Sequence, residues 1–240
     1  MRLSDSTIDW INTAAHIAAD LEVDGLIFDQ DGIHGYNDES AIIVACFQDL
    51  GFEFESLGIA GMIEFRRKMK LVADRGDVTV DANFKKGEDG KTVSSLTIKC
   101  KKIKYEFRCT EPKRIRDLPK KSLNVKPVFS FAINSEDIKT FKDAATALRN
   151  KNVVVKGKDG GIEFTFSDET GDIMTYSLDT KLTSHTEEDA FQMVLAVNKM
   201  HKIFKKADAA HDGSVTINIL KNNIVHLNIN DIDVLIMSEV

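Results

Sequence analysis

Two stretches of this 240-residue chain concentrate positive charge: VNKMHKIFKKAD, residues 197 to 208, and IAGMIEFRRKMKLVAD, residues 59 to 74. In the first, Val197, Met200, Phe204 and Ala207 recur at helical spacing. About 100° of turn per residue then puts Asn198, Lys202 and Lys205 on the opposite side, flanked by Lys199, His201 and Lys206. In the second, Met62, Phe65, Met69 and Val72 form the apolar stripe, and Arg67 lies opposite it, flanked by Arg66, Lys68 and Lys70. Residues 59 to 74 carry four bases and two acids, and residues 197 to 207 carry four bases and no acid. The whole chain has a formal net charge of -6, so with +6 on these two segments the remainder stands at -12. A charge run on a single helix is ordinarily a solvated face. Sign segregated onto two helices of an acidic protein means more: a basic face without acids repels itself, and its complement is a polyanion.

Other chemistry finds little support. Asp29 and Asp31 in DQDG resemble the start of a calcium loop, but the fifth, seventh and twelfth places are Ile33, Gly35 and Ser40. A hairpin turn is the better reading. His16, His34, His185, His201, His211 and His226 show no metal-ligand spacing. No Walker loop, G-x-G-x-x-G or G-x-S-x-G is present, and GKDGG at 157 to 161 lacks the strand-to-helix setting of a phosphate loop. No catalytic residue, metal or cofactor is expected. Cys46, Cys100 and Cys109 are odd in number and form no C-x-x-C pair, so they read as reduced, buried thiols. No apolar run approaches the roughly 20 residues of a membrane-spanning helix, and MRLSDSTIDW lacks the apolar centre of a signal peptide. The expected location is the cytoplasm, with no membrane partner.

The elements that must carry these helices form an internal repeat, visible in apolar periodicity. Ile8, Ile11, Ala15 and Ala18 share helical spacing with Ile138, Phe141, Ala145 and Leu148, 130 residues later. Ser4 or Asp5 is placed to cap the first of these helices and Ser135 the second. GLIFDQDGIHGY in one half and NVVVKGKDGGIEF in the other each read as strand, D-G turn, strand. The basic helices follow at an offset of 135, and Val78, Val80 and Ala82 precede Val215, Ile217 and Ile219 by 137. Further strands are expected at FEFES (52 to 56), SLTIKC, KYEFRC, VFSFAI, DIMTYSL, AFQMVLA, IVHLNI and DVLIMS. Each half thus combines two helices with antiparallel strands, an α+β class. Residues 109 to 127 hold all three prolines and read as an extended connection, dividing the chain into 1–110, a linker at 111–127, and 128–240.

On these features the chain resembles a DNA sliding clamp, and in particular the trimeric clamps of T-even-type bacteriophages and their cellular relatives. GLIFDQDGIHGYNDESAIIVACF is similar to the passage where clamps carry F-x-x-D-G-I, and AINSEDIKTFKDAATAL to the helix opening the last domain. The resemblance implies a duplicated clamp domain that assembles into a homotrimeric ring, helices inside and strands outside. Its implied partners are double-stranded DNA bound without sequence preference, a replicative polymerase and an ATP-driven clamp loader; a phage origin would make the compartment the host cytoplasm. DNA-facing residues would be Arg66, Arg67, Lys68, Lys70, Lys139, Lys142, Arg149, Lys199, Lys202, Lys205 and Lys206. A pocket for partner peptides would use Tyr36, Ile42, Leu123, Val125 and Ile236. The family's topology makes KYEFRC and DIMTYSL the edges that pair between subunits. The first helix of each half is poorly basic: residues 135 to 149 balance Lys139, Lys142 and Arg149 against Glu136, Asp137 and Asp143. Alternatives are a monomeric DNA-binding factor of the same fold and a hydrolase whose site has no recognisable motif.

Overall fold

The computed structural model describes residues 1–37, 42–74, 76–84, 92–115, 126–149, 151–210 and 214–238. The chain divides into two compact units, Met1–Ser122 and Leu123–Val240.

In the first unit, α1 (Asp5–Asp20) precedes β1 (Gly25–Asp29), β2 (Gly32–Asn37), β3 (Ile42–Cys46) and β4 (Ser56–Ala60); α2 (Met62–Ala73) and β5 (Thr79–Phe84), β6 (Val93–Cys100) and β7 (Ile103–Arg108) follow. The strands form two antiparallel sets, ordered β3-β2-β1-β4 and β5-β6-β7. Residues 1 to 3 run along β5, with Leu3 N donating to Val80 O at 2.9 Å and Ala82 N to Met1 O at 2.7 Å. Ser4, of the two capping candidates, is the N-cap of α1 and accepts from Thr7 N. Ile8, Ile11, Ala15 and Ala18 are all buried, as are Met62, Phe65, Met69 and Val72 of α2.

The second unit repeats this order. It runs β8 (Pro127–Asn134), α3 (Ser135–Leu148), β9 (Asn152–Lys158), β10 (Gly161–Ser167), β11 (Ile173–Ser177), β12 (Thr183–Ser184), β13 (Ala190–Ala196), α4 (Val197–Ala210), β14 (Ser214–Leu220), β15 (Ile224–Ile229) and β16 (Ile232–Met237). Its strands order as β11-β10-β9-β13 and β12-β8-β14-β15-β16. β9 pairs with β13 as β1 pairs with β4, and β8 lies along β14 as residues 1 to 3 lie along β5. The second D-G turn behaves as turn chemistry requires, with Asp159 and Gly160 both at positive φ, 52° and 79°; in the first, only Gly32 has positive φ, and the loop is Gln30-Asp31. Gly32, at φ 120°, has no room for a side chain, because a Cβ there would fall 1.8 Å from Cys46 O.

Phe141 centres the core of this unit, meeting Phe164, Phe166 and Phe204 edge to face at 5.6, 5.3 and 5.2 Å between centroids. It is 2% exposed, and truncating so enclosed a ring to alanine costs about 3–5 kcal/mol.

Four details differ from the sequence reading. Residues 52 to 55 are irregular and the strand begins at Ser56; Phe52 and Phe54 stack on each other at 5.2 Å instead of alternating across a sheet. The cap of α3 is Asn134, in a capping box with Asp137, and Ser135 is the first helical residue. Ala144 is the small buried residue of α3, while Ala145 and Leu148 are half-buried. The connection after β7 is not extended at its start: Pro112–Arg114 form a 3-10 turn and Ile115 is buried. Residues 116 to 125 lie outside the described residues.

Candidate nucleic-acid interface

In each unit the two helices pack side by side. The basic residues lie on α2 in the first unit and on α3 and α4 in the second, and the two units hold them differently.

On α2, three of the four cations have local partners. Arg66 is half-buried and its guanidinium pairs with Asp20 at the end of α1, which ties the two helices together. Arg67 is exposed and pairs with Glu64, one turn earlier, at 2.6 Å. Lys68 Nζ lies 5.3 Å from the centroid of Tyr105 on β7, and a hydrogen bond to that phenol raises the ammonium pKa. Lys70 is exposed.

On α4, Val197, Met200, Ile203, Phe204 and Ala207 are buried. Asn198 and Lys205 are exposed; Lys202, expected beside them opposite the core, is instead half-buried, as are the flanking Lys199, His201 and Lys206. Lys139 and Lys142 of α3 are exposed as well. The charge balance of α3 is less even than the sequence indicates, because Asp137 is buried. Its carboxylate accepts from the Asn134 backbone at 2.9 Å and from the hydroxyl of Tyr176, so it is spent on the cap and on β11. Burial, then the charges of Lys142 and Lys205, lowers the pKa of His201.

Arg149 stands apart. It caps α3 in the left-handed conformation, φ 52°, and lines an open hollow of about 590 Å³ with Lys151, facing Asp168 and Glu169. Asp168 is kept ionised by Thr170: the threonine hydroxyl, and then backbone donors, lower its pKa. An acidic wall of this kind lowers the positive potential around Arg149.

The residues expected to form a peptide pocket are scattered in burial. Tyr36 on β2 is half-buried, Ile42 on β3 is 1% exposed and Ile236 on β16 is 1% exposed. Leu123 and Val125 lie outside the described residues.

Two features escaped the sequence reading. Ile115 packs into a notch made by glycines: a Cβ on Gly25 would lie 2.8 Å from its Cγ2, and one on Gly58 2.9 Å from its Cδ1. Thr110 N also donates to Gly58 O at 2.9 Å, so this stretch is fastened to the first unit. The paired glycines were the available signal. Ser238 likewise fastens the end of β16, donating to Val194 O at 3.1 Å and accepting from Val194 N at 3.3 Å.

Asp29 serves its turn: Oδ1 accepts from Asp31 N at 2.9 Å, and Oδ2 lies 3.2 Å from His34 Nε2. All three cysteines are free, and burial pushes the Cys109 thiol up to about 12, which leaves no thiolate at neutral pH. Among the described residues, no helix is long and apolar enough to cross a membrane.

No protein-family model and no curated protein matches the sequence. Solved structures match its fold. One chain of a PCNA2–PCNA3 complex from Sulfolobus tokodaii superposes with a TM-score of 0.64 over 100% of this chain and 99% of its own, at 13% sequence identity. The chain has the PCNA clamp fold. Within that fold the duplicated α+β unit, two helices on antiparallel strands, accounts for the described helices and for the described strands other than the short β12. The basic residues described above lie on α2, α3 and α4 of that fold.

Proposed function

We propose that the protein is a sliding clamp: three copies close into a ring that surrounds duplex DNA and tethers a replicative polymerase, with no catalytic activity of its own. The observation that carries this reading is the pairing of the clamp fold with an acidic chain in which the segments of α2 and α4, residues 59 to 74 and 197 to 207, stand at +6 while the remainder stands at -12. Lysines touching phosphates supply attraction that does not depend on base sequence, which suits a ring that moves along the duplex. Two units per chain make a ring of six domains from three chains, the arrangement of the trimeric phage and cellular clamps that the sequence resembles. An ATP-driven loader is required to open such a ring around DNA. The proposed domain division is 1–110, a connection at 111–127 that begins packed on the first unit through Ile115, and 128–240.

Ring closure is assigned to the free strand edges. β5 is flanked by residues 1 to 3, β4 bridges to Thr92 and Thr110, and Ser238 bonds to β13. β7 and β11 end their sheets, and β11 presents Ile173 at 70% and Met174 at 37% exposure. An unpaired edge with bare apolar residues is an aggregation hazard unless another strand covers it. β7 of a neighbouring copy, alternating Lys104, Glu106 and Arg108 outward, is the strand proposed to do so.

Duplex affinity measured against salt tests the reading. Reversing Lys202 and Lys205 to glutamate should weaken binding to any sequence and lower the slope of log affinity against log salt by about one per lysine. An unchanged slope removes α4 from the interface.

A further inference from the structure

We infer that His201 is a proton-linked phosphate contact: it takes up a proton when duplex DNA enters the helix-lined face. The inference rests on the clamp reading and deepens it, since it makes DNA binding depend on pH as well as on salt.

The geometry is a cluster of three groups from two helices. The edge-to-face contact of Phe141 with Phe204, 5.2 Å between centroids, pins α3 against α4. The residues after these two rings are Lys142 and Lys205, both exposed, and His201 lies one turn before Lys205 on α4. The imidazole is half-buried, so part of its hydration is already lost. The charges acting on it are Lys142 from α3 and Lys205 from its own helix, both positive. The other elements under α4 are β13, β14 and β15, which contribute buried apolar residues such as Leu195, Ile217 and Leu227. His226 is on β15 too, where it is held by Asp233.

Burial first, and then the two ammonium groups, holds the pKa of His201 below its ordinary value. The ring is therefore neutral at pH 7 in the free protein. A phosphate arriving between Lys142 and Lys205 reverses the local potential, neutralises both cations and becomes the hydrogen-bond acceptor for an imidazolium. A group whose pKa is higher in the bound state than in the free state favours binding as pH falls through the interval between the two values. Lysine or arginine at this position would be charged at every pH; histidine makes the contact adjustable in the range where cells operate.

Fluorescence anisotropy of a labelled duplex of random sequence, titrated with the full-length protein at fixed low salt from pH 8 to pH 6, reads the effect. Wild type is expected to bind at least about threefold more tightly at pH 6, with a salt slope steeper by about 0.9 for each histidine protonated. His201→Gln should abolish both changes, and His201→Arg should bind with the tighter affinity across the whole range. A pH response that survives in His201→Gln, or is absent from wild type that binds DNA, overturns the inference and leaves the clamp reading standing. No DNA binding at any pH overturns both.

Discussion

The hydroxyl of Tyr176, on the outermost strand β11, donates to the buried carboxylate of Asp137 in the first turn of α3. Burial first, and then this bond, pushes the phenol pKa up to about 12. The same carboxylate closes the capping box with Asn134. A strand proposed for assembly and a helix proposed for DNA therefore share one anchor.

This anchor decides how the assembly edge must be tested. Leu178 N donates to Ile162 O at 3.0 Å, and in an antiparallel ladder the inward-bonded residues alternate, so Tyr176 also bonds toward β10 while Thr175 faces outward. Proline at Tyr176 would break β11 from its own sheet and cut the tie to Asp137. Thr175→Pro removes an outward donor and, besides it, only the long hydroxyl contact to Thr165 at 3.5 Å. Sedimentation should show loss of the oligomer with a folded monomer retained by circular dichroism; an intact oligomer would move the interface to another edge.

Asp233 predicts an acid limb of stability. Burial pushes its carboxyl up, but hydrogen bonds from His226 at 2.9 Å and Asn228 at 3.0 Å outweigh that and hold the pKa below the usual value. A depressed carboxylate contributes stability that is complete above its unfolded pKa and is lost as pH falls through the folded one. Urea midpoints measured from pH 6 to pH 2.5 should fall less steeply in Asp233→Asn than in wild type. Parallel curves would show that the bond is not coupled to folding.

Arg66 and Lys205 are expected to separate stability from binding. Arg66 is neutralised by Asp20 and bridges α1 to α2, so Arg66→Ala should cost about 1 kcal/mol in thermal or urea unfolding with a small change in the salt slope of DNA binding. Lys205→Ala, from an exposed site, should do the reverse. Equal salt-slope losses would put Arg66 in contact with phosphates.

The partner site is tested with a peptide from a polymerase C-terminus. Apolar anchors dominate short-peptide grooves, so Leu123→Asp should cost more than about 1 kcal/mol of affinity in calorimetry, with the oligomer checked in parallel. Equal affinity would place the pocket away from Leu123.

The repeat was legible because both halves must bury the same stripes: residues 62, 65, 69 and 72, and residues 197, 200, 204 and 207, are all buried. The turn at Asp159-Gly160 was legible because few residues tolerate positive φ. FEFES misled because alternation also arises when two phenylalanines stack in a loop. The cap at Asn134 was passed over because serine next to it is an equally good capping residue. For the basic face, residue type identified the lysines of α4, but spacing does not show where an acid comes from elsewhere in the chain. Asp20 reaching Arg66, and Asp137 withdrawing toward Tyr176, are tertiary facts.

Native mass spectrometry of the purified protein tests the central claim most directly. A closed clamp predicts one dominant species of three times the 26.8 kDa chain, stable on dilution through the micromolar range and dispersed by Thr175→Pro. A dominant species of a single chain at every concentration would contradict the ring and leave a DNA-binding monomer of the clamp fold.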